Sequence, residues 1–363
     1  MGEGNPLPRG LAADLERAGV PGAALAVVDR AGEVSTAVLG LADVASRSAV
    51  APDTVFHLFS ATKLYTAAAV VLLAEQGRLG LDDPVTEHLD GLDLAHPVTI
   101  RQLLTHTSGL PDTLKAFVAV HLAGDPVPST SEALARYRLD KGKPPGTEVA
   151  YRNVNFALLG EVVAVVAGQP YEAFVTRALL EPLGSGARFS YDEDQRTRAA
   201  TGYLGRWDPM RPALPLLLPG TRGRLTQRPV DGLVGLNEFG LDTAAIGGLV
   251  GAVTDFVPFL QEFLRGDDGV LPRTAREEML TVQAEGSAGV ASTVGTGLGW
   301  KAGDVDGVRF WNHEGGGPGF ATETRLYPDA GLGLVLLMNR THKPALSRVA
   351  HDAAEAIRLG GVG

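Results

Sequence analysis

No cysteine occurs anywhere in the 363 residues, which excludes disulfides, thiol nucleophiles and cysteine-based metal centres together. The eight histidines show no metal-ligand spacing, so neither a metal nor another cofactor is expected. Positive charge is in short supply. Lys and Arg number 32 against 42 Asp and Glu, a formal net charge of -10, which argues against a general nucleic-acid or anionic-membrane binder because both surfaces are negative. No uninterrupted apolar run approaches the roughly 18 residues that a membrane span needs. Residues 1–21 lack a basic start followed by an apolar core, so no signal peptide is seen and a cytoplasmic location is expected. What remains is a globular chain with 45% hydrophobic residues, ample for a large core. Its expected partner is a small molecule, and its oligomeric state is left open.

The chain is organised around Phe59-Ser60-Ala61-Thr62-Lys63, which stands directly before an apolar run at 64–74 that closes at Gly77. That run is apolar all round, the pattern of a helix enclosed by other elements, with the glycine as its stop. Ser60 is then expected at the helix N-terminus. Lys63 follows about one turn later on the same side, within reach of the serine hydroxyl. A desolvated lysine favours its neutral amine and can take the serine's proton, while free N–H groups at the helix start favour an oxyanion. Ser-x-x-Lys alone is a weak signal, but a lysine pointing into an apolar helix is costly unless it has partners or a task.

Along the chain, 11–18 reads as a short amphipathic helix, and 22–29 as a buried strand turning at 30–33 into a second at 34–41. Thr99 is a candidate N-cap for a helix at 99–104. Helical periodicity recurs at 131–138, 155–167 and 171–180, a helical region set between two parts of a sheet. The last third alternates turns with strands at 297–301, 308–313, 322–327 and 331–338, followed by a helix at 344–359. His106 and Ser108 stand two apart in a glycine-containing turn, but the frame of a nucleophile elbow is missing, and a helix end closed by small polar residues explains them.

Two further stretches carry chemistry. Tyr151-Arg152-Asn153 presents a phenol and an amide on one side of an extended backbone. Asn312-His313-Glu314-Gly315-Gly316-Gly317 ends a strand with glycines that let a substrate lie against the sheet edge and expose N–H donors. His313 is placed to bond towards Tyr151 or to polarise a substrate. Strand alternation turns Glu314 away from His313, so Glu314 receives no role. A long irregular excursion covers 201–234, and the window from Arg196 to Arg228 contains Arg196, Arg198, Arg206, Arg211, Arg222, Arg224 and Arg228, against Asp208 alone. Either a guanidinium there clamps an anionic substrate, with Trp207 and residues 216–218 as apolar wall, or these arginines fasten the loop to the acidic body; fastening is the expected reading.

Ser60-x-x-Lys63, Tyr151-x-Asn153 and His313-x-Gly315, in that order, resemble the motif set of the penicillin-recognising serine hydrolases. The tyrosine in the second motif and His-x-Gly as the third are similar to the class C β-lactamase-like branch, which includes esterases, D-amino-acid peptidases and acyltransferases. Residues 103–111, Pro145-Gly146 and Ile246-Gly247-Gly248-Leu249 look like that family's connecting segments, and the likeness runs from about Gly22 to Ala356.

The resemblance implies an α+β fold of β-lactamase/transpeptidase type, an antiparallel sheet flanked by helices with an inserted, mostly helical domain. Residues 1–82 and 235–363 would form the discontinuous sheet domain, and 83–234 the helical one with its excursion at 200–234. It implies that Ser60 is acylated, that Lys63 and Tyr151 share general-base work, and that Asn153 holds the substrate or Lys63. The N–H groups of Ser60 and Gly316, beside Gly315, would form the oxyanion hole. His313 replaces the cationic lysine of true β-lactamases, which weighs against efficient β-lactam hydrolysis. The expected activity on an ester or amide substrate is that of a carboxylesterase for small esters. The alternative is an acyltransferase using the same acyl-enzyme; a β-lactamase, a D-amino-acid peptidase or a silent binding protein ranks below both.

Overall fold

A computed structural model describes residues 5–6, 9–112, 119–128, 130–135, 137–206, 208, 210–217, 223–286, 293–305 and 307–341. Strand β1 (Gly22–Asp29) is a continuous Ala, Leu and Val run, buried along almost its whole length, as a strand covered on both faces must be. It is joined to β2 (Val34–Asp43) by a tight turn in which Gly32, at φ 88°, donates its N–H to Asp29 O. A left-handed φ at that point favours glycine.

The partner of β1 on its other side comes from the opposite end of the chain. β7 (Leu332–Met338) pairs antiparallel with β1, and the sheet continues through β6 (Phe320–Tyr327), β5 (Val308–Gly317), β4 (Lys301–Val305) and β3 (Thr293–Thr296). Short strands at Asn5–Pro6 and Ala284–Glu285 extend its two edges. The fold is thus an antiparallel sheet closed by strands from both chain ends, and among the described residues those between Ala49 and Ala284 add no strand to it.

Helix α1 (Arg9–Arg17) buries Leu11 and Leu15 in an apolar cluster on one face of the sheet. The other face carries the main core. Helix α2 (Thr62–Glu75) runs through it, with residues 62–71 all buried, and packs on α4 (Asn153–Ala167). Burying an aliphatic side chain of this kind contributes about 1.5–3 kcal/mol, which is how the helix tolerates a lysine in its first turn. Gly77, at φ 67°, stops it as the sequence predicts. Helix α3 (Ile100–Leu104) has the expected Thr99 cap: Gln102 N donates to Thr99 Oγ1, and Thr99 N to Gln102 Oε1.

Several boundaries differ from the sequence reading. The strand expected at 297–301 is a turn instead. Gly297 lies against Met279 O, Gly299 takes φ 80°, and β4 begins only at Lys301. Helix α4 starts at Asn153, two residues early, and α5 (Tyr171–Val175) passes into a π-helical turn at Thr176–Leu180. The excursion contains a helix at Met210–Leu217 and the strand pair Tyr203–Leu204 with Val234–Gly235, short elements that leave no long periodic signal. The helix expected at 344–359 lies outside the described residues.

Candidate active site

Ser60 does not open the α-helix. It sits in a 3-10 turn, Phe59–Ala61, immediately before α2, and Phe59 adopts φ 47°. A non-glycine residue in the left-handed region is held there only by strong surroundings. The surroundings are β5 and Ile246-Gly247-Gly248-Leu249. A Cβ on Gly315 would stand 2.3 Å from Leu58 O, one on Gly317 would meet the Phe59 ring at 2.2 Å, and one on Gly247 would lie 3.1 Å from Phe59 C. Leu58 N donates to Leu249 O at 2.9 Å, and Leu249 N to Thr62 Oγ1 at 3.2 Å. Gly315 and Gly317 therefore make room for the protein's own serine-bearing turn, a correction to the reading that these strand-ending glycines clear space for a substrate.

Lys63 Nζ lies 3.1 Å from Ser60 Oγ and donates to Ile246 O at 2.7 Å. The lysine is fully buried, and burial holds its pKa well below the ordinary value; Asp112 opposes that shift and Lys301 adds to it. The Lys63 nitrogen stands 5.2 Å from the centroid of the Tyr151 ring. Tyr151 Oη is buried without a protein hydrogen-bond partner of good geometry. Burial raises the phenol above its ordinary value, a weaker interaction with Ser60 opposes this, and Tyr151 is a neutral phenol.

His313 projects from β5 towards the same place, its ring centroid 6.0 Å from that of Tyr151. Nδ1 stands 2.8 Å from Glu314 O. A carbonyl only accepts, so Nδ1 carries the proton and Nε2 is left as an acceptor. Burial and the two lysines hold the imidazole neutral. His313 can then accept a hydrogen bond but not donate one from Nε2, which corrects the expectation that it polarises a substrate.

Asn153 does not hold Lys63, one of the two roles expected of it. Its backbone N and its Nδ2 both donate to Asp112 Oδ2, at 2.8 and 3.3 Å, and its buried Oδ1 has no protein partner. The amide is thus turned to Asp112, with no hydrogen bond to Lys63. His106, at φ 58°, lies tilted against Tyr151 with ring centroids 4.6 Å apart. Its Nδ1 accepts from Arg152 N and Asn155 Nδ2, both at 3.2 Å, while Asn155 Oδ1 accepts from Ser108 Oγ at 2.6 Å. Ser108 is therefore consumed in a buried chain that orients the histidine beneath Tyr151, and only Ser60 has an amine beside it.

Sequence reasoning missed Asp112, His106 and Lys301 as members of this cluster. Lys301 Nζ is 5.1 Å from the Tyr151 centroid and 3.6 Å from Glu314 Oε2. Glu314 does leave the strand on the face opposite His313, yet its charge still bears on Tyr151. No spacing links Lys301 to this cluster; the sheet register, Lys301 opposite Asn312, brings it beside Glu314.

The arginines of the excursion are fasteners where their partners are described. Arg196 bonds Glu238 at 3.0 Å, Arg224 bonds Asp125 at 2.8 Å, and Arg198 bonds Asp194 and, at 2.7 Å, Asp53 O. Trp207, Arg222 and the side chains of residues 216–218 lie outside the described residues.

Sequence and fold both have relatives among known proteins. A family model described as Beta-lactamase matches residues 9–358. The chain is 31% identical over 345 residues to Penicillin-binding protein 4 of Amycolatopsis lactamdurans, covering 88% of this chain and 81% of that protein. It is 30% identical over 196 residues to Protein flp of Staphylococcus aureus strain N315, which covers 52% of this chain but only 39% of that longer protein. Among solved structures, the octameric penicillin-binding protein homologue of Pyrococcus abyssi superposes with a TM-score of 0.80 at 26% identity, over 97% of this chain and 76% of that one. The D-amino acid amidase of Ochrobactrum anthropi SV3 shares the fold, with a TM-score of 0.81 at 24% identity over 97% and 98% of the two chains.

Proposed function

The chain belongs to the beta-lactamase family of serine hydrolases, and from that premise we propose that it forms an acyl-enzyme on Ser60 and acts as a carboxylesterase on small esters. The observation that carries this reading is the 3.1 Å approach of a fully buried lysine amine to Ser60 Oγ. With one N–H committed to Ile246 O, the neutral amine still has its lone pair for the serine proton.

Attack of Oγ on the ester carbonyl would transfer that proton to Lys63 and leave an oxyanion facing the backbone N–H groups of Ser60 and Gly316. Collapse breaks the ester C–O bond, and the departing alkoxide takes a proton from Tyr151 or Lys63. A water then attacks the acyl-enzyme, gives its proton to the same pair, and releases the acid with Ser60 restored. The neutral imidazole of His313 supports an ester over a β-lactam, because this strand offers no fixed cation there for a β-lactam carboxylate.

The test is a panel of p-nitrophenyl esters, an amide analogue and a chromogenic β-lactam, run beside labelling with a fluorophosphonate. Wild type and Ser108→Ala should be labelled and Ser60→Ala should not. Lys63→Ala and Tyr151→Phe should each lower ester turnover at least about a hundredfold, and the double variant by much less than the product. Labelling that survives in Ser60→Ala overturns the nucleophile. Labelling at Ser60 with faster turnover of the amide or β-lactam overturns the ester preference, and acyl products on an added alcohol in place of free acid would mark a transferase.

A further inference from the structure

Strand β4 begins at Lys301, paired with Asn312, so among the described residues no strand pairs with β5 on that side from His313 onward. Lys301 stands at the corner where that pairing stops. Its side chain is 6% exposed, with Nζ 3.6 Å from Glu314 Oε2 and 5.1 Å from the Tyr151 centroid. Lys63 Nζ lies 5.2 Å from the same centroid, so the two nitrogens are no more than about 10 Å apart. The mechanism above uses one of these lysines and leaves the other unexplained. A buried lysine is uncommon.

We propose that Lys301 is a positioning residue for the reaction: tied to Glu314 and lying against Tyr151, it fixes a positive charge beside Ser60, Lys63 and Tyr151 without touching the substrate. This rests on the reading of Ser60 as nucleophile and Lys63 as its base. An ammonium at this corner disfavours a second ammonium at Lys63, so the amine that accepts the serine proton persists to lower pH. Burial acts in the same direction and the Asp112 carboxylate against it. The other groups facing the cluster are His106 and His313, both held neutral by burial, the Tyr151 phenol, Arg152 beside His106, and Glu314. Glu314 both seats Lys301 and cancels part of its field. The site thereby regains a cation near the third motif, placed on the neighbouring strand and already occupied by a carboxylate.

The test is the rate of Ser60 labelling by a fluorophosphonate between about pH 5 and pH 10, where the acid limb reports protonation of the base. In Lys301→Met the limb should move to higher pH by about one unit, the size expected for like charges roughly 10 Å apart at an effective dielectric near 20. Lys301→Arg should keep the limb in place, Lys301→Met with Glu314→Gln should return it part of the way, and Glu314→Gln alone should move it to lower pH. A limb that stays fixed in Lys301→Met overturns the proposal, even if the rate falls, since lost packing lowers the rate without shifting the profile. If Lys301→Met does not fold, Glu314→Gln decides alone, and a fixed limb there overturns it too. Absence of Ser60 labelling in the wild type would instead overturn the nucleophile assignment beneath it.

Discussion

Asp112 Oδ2 accepts two hydrogen bonds from one residue, the backbone N–H of Asn153 at 2.8 Å and its side-chain amide at 3.3 Å. Asn153 is the first residue of α4, so the carboxylate rests on open N–H groups and on the positive end of the helix dipole. The same charge favours protonated Lys63, against burial and Lys301. Asp112 and Lys301 act on one amine with opposite sign.

Asp112→Asn should therefore move the acid limb of Ser60 labelling to lower pH, the reverse of Lys301→Met. Asp112→Ala should in addition lower stability by about 1–2 kcal/mol, because it strips acceptors from Asn153. Labelling profiles and urea unfolding separate the two effects, and an upward shift in the asparagine variant would contradict the assigned sign.

Gly315→Ala should cost more activity than its size suggests. The new methyl would stand 2.3 Å from Leu58 O, and the backbone that must give way is the turn carrying Ser60. Overpacking of this kind costs about 1–3 kcal/mol, and a displaced nucleophile should slow labelling by at least about tenfold. Gly266→Ala, where nothing lies within 4 Å, is the control and should change neither. Equal behaviour of the two variants would show that the turn is not held by the strand.

The sheet and the principal helices were legible because their signals are local. An apolar run such as 22–29, a Thr99 cap or a Gly77 stop is visible within a few residues. Ser60, Lys63, Tyr151 and His313 were legible for a different reason, as spaced motifs. What could not be read was anything fixed by register or by a neighbour's hydrogen bonds. The proton on His313 Nδ1 is set by Glu314 O, the rotamer of Asn153 by Asp112, and the place of Lys301 by its pairing with Asn312. The glycines of β5 were seen as glycines, but which atoms they make room for depended on a turn some 250 residues earlier.

His57, three residues before the serine, should make the fold acid-sensitive. Its ring stacks on Phe239 at 4.6 Å with Phe59, Tyr191 and Phe320 around it, and burial lowers its pKa to about 3. Below the ordinary value of 6.5 the unfolded chain binds a proton that the folded one refuses, so stability is lost as pH falls from 6.5 towards 3. Between about pH 6.5 and pH 4.5 this group alone should remove on the order of 2 kcal/mol. His57→Phe keeps the stacked ring, so its urea midpoint should fall less over that interval; parallel pH dependence in the two proteins would show that His57 is protonated as easily folded as unfolded.

Lys63 should carry a burden of the same sign in a more alkaline window, a cost to stability kept for chemistry. Folding buries it with its pKa depressed well below the ordinary value near 10.5, so between those two values the unfolded chain holds a proton that the folded chain has released. Stability attributable to this residue therefore rises with pH across that window, by up to about 1.4 kcal/mol per unit. Lys63→Met fills similar space without titrating, although it leaves Ile246 O without its donor, a loss of about 1–3 kcal/mol. The variant should show no Ser60 labelling at any pH. Its stability relative to wild type should be greatest at the low end of the window and should decline steadily as pH is raised towards 10, as read from urea unfolding at several pH values. A difference that stays constant with pH would mean that Lys63 keeps its proton on folding, and the amine at 3.1 Å from Ser60 Oγ would then be an ammonium with no lone pair to serve as base.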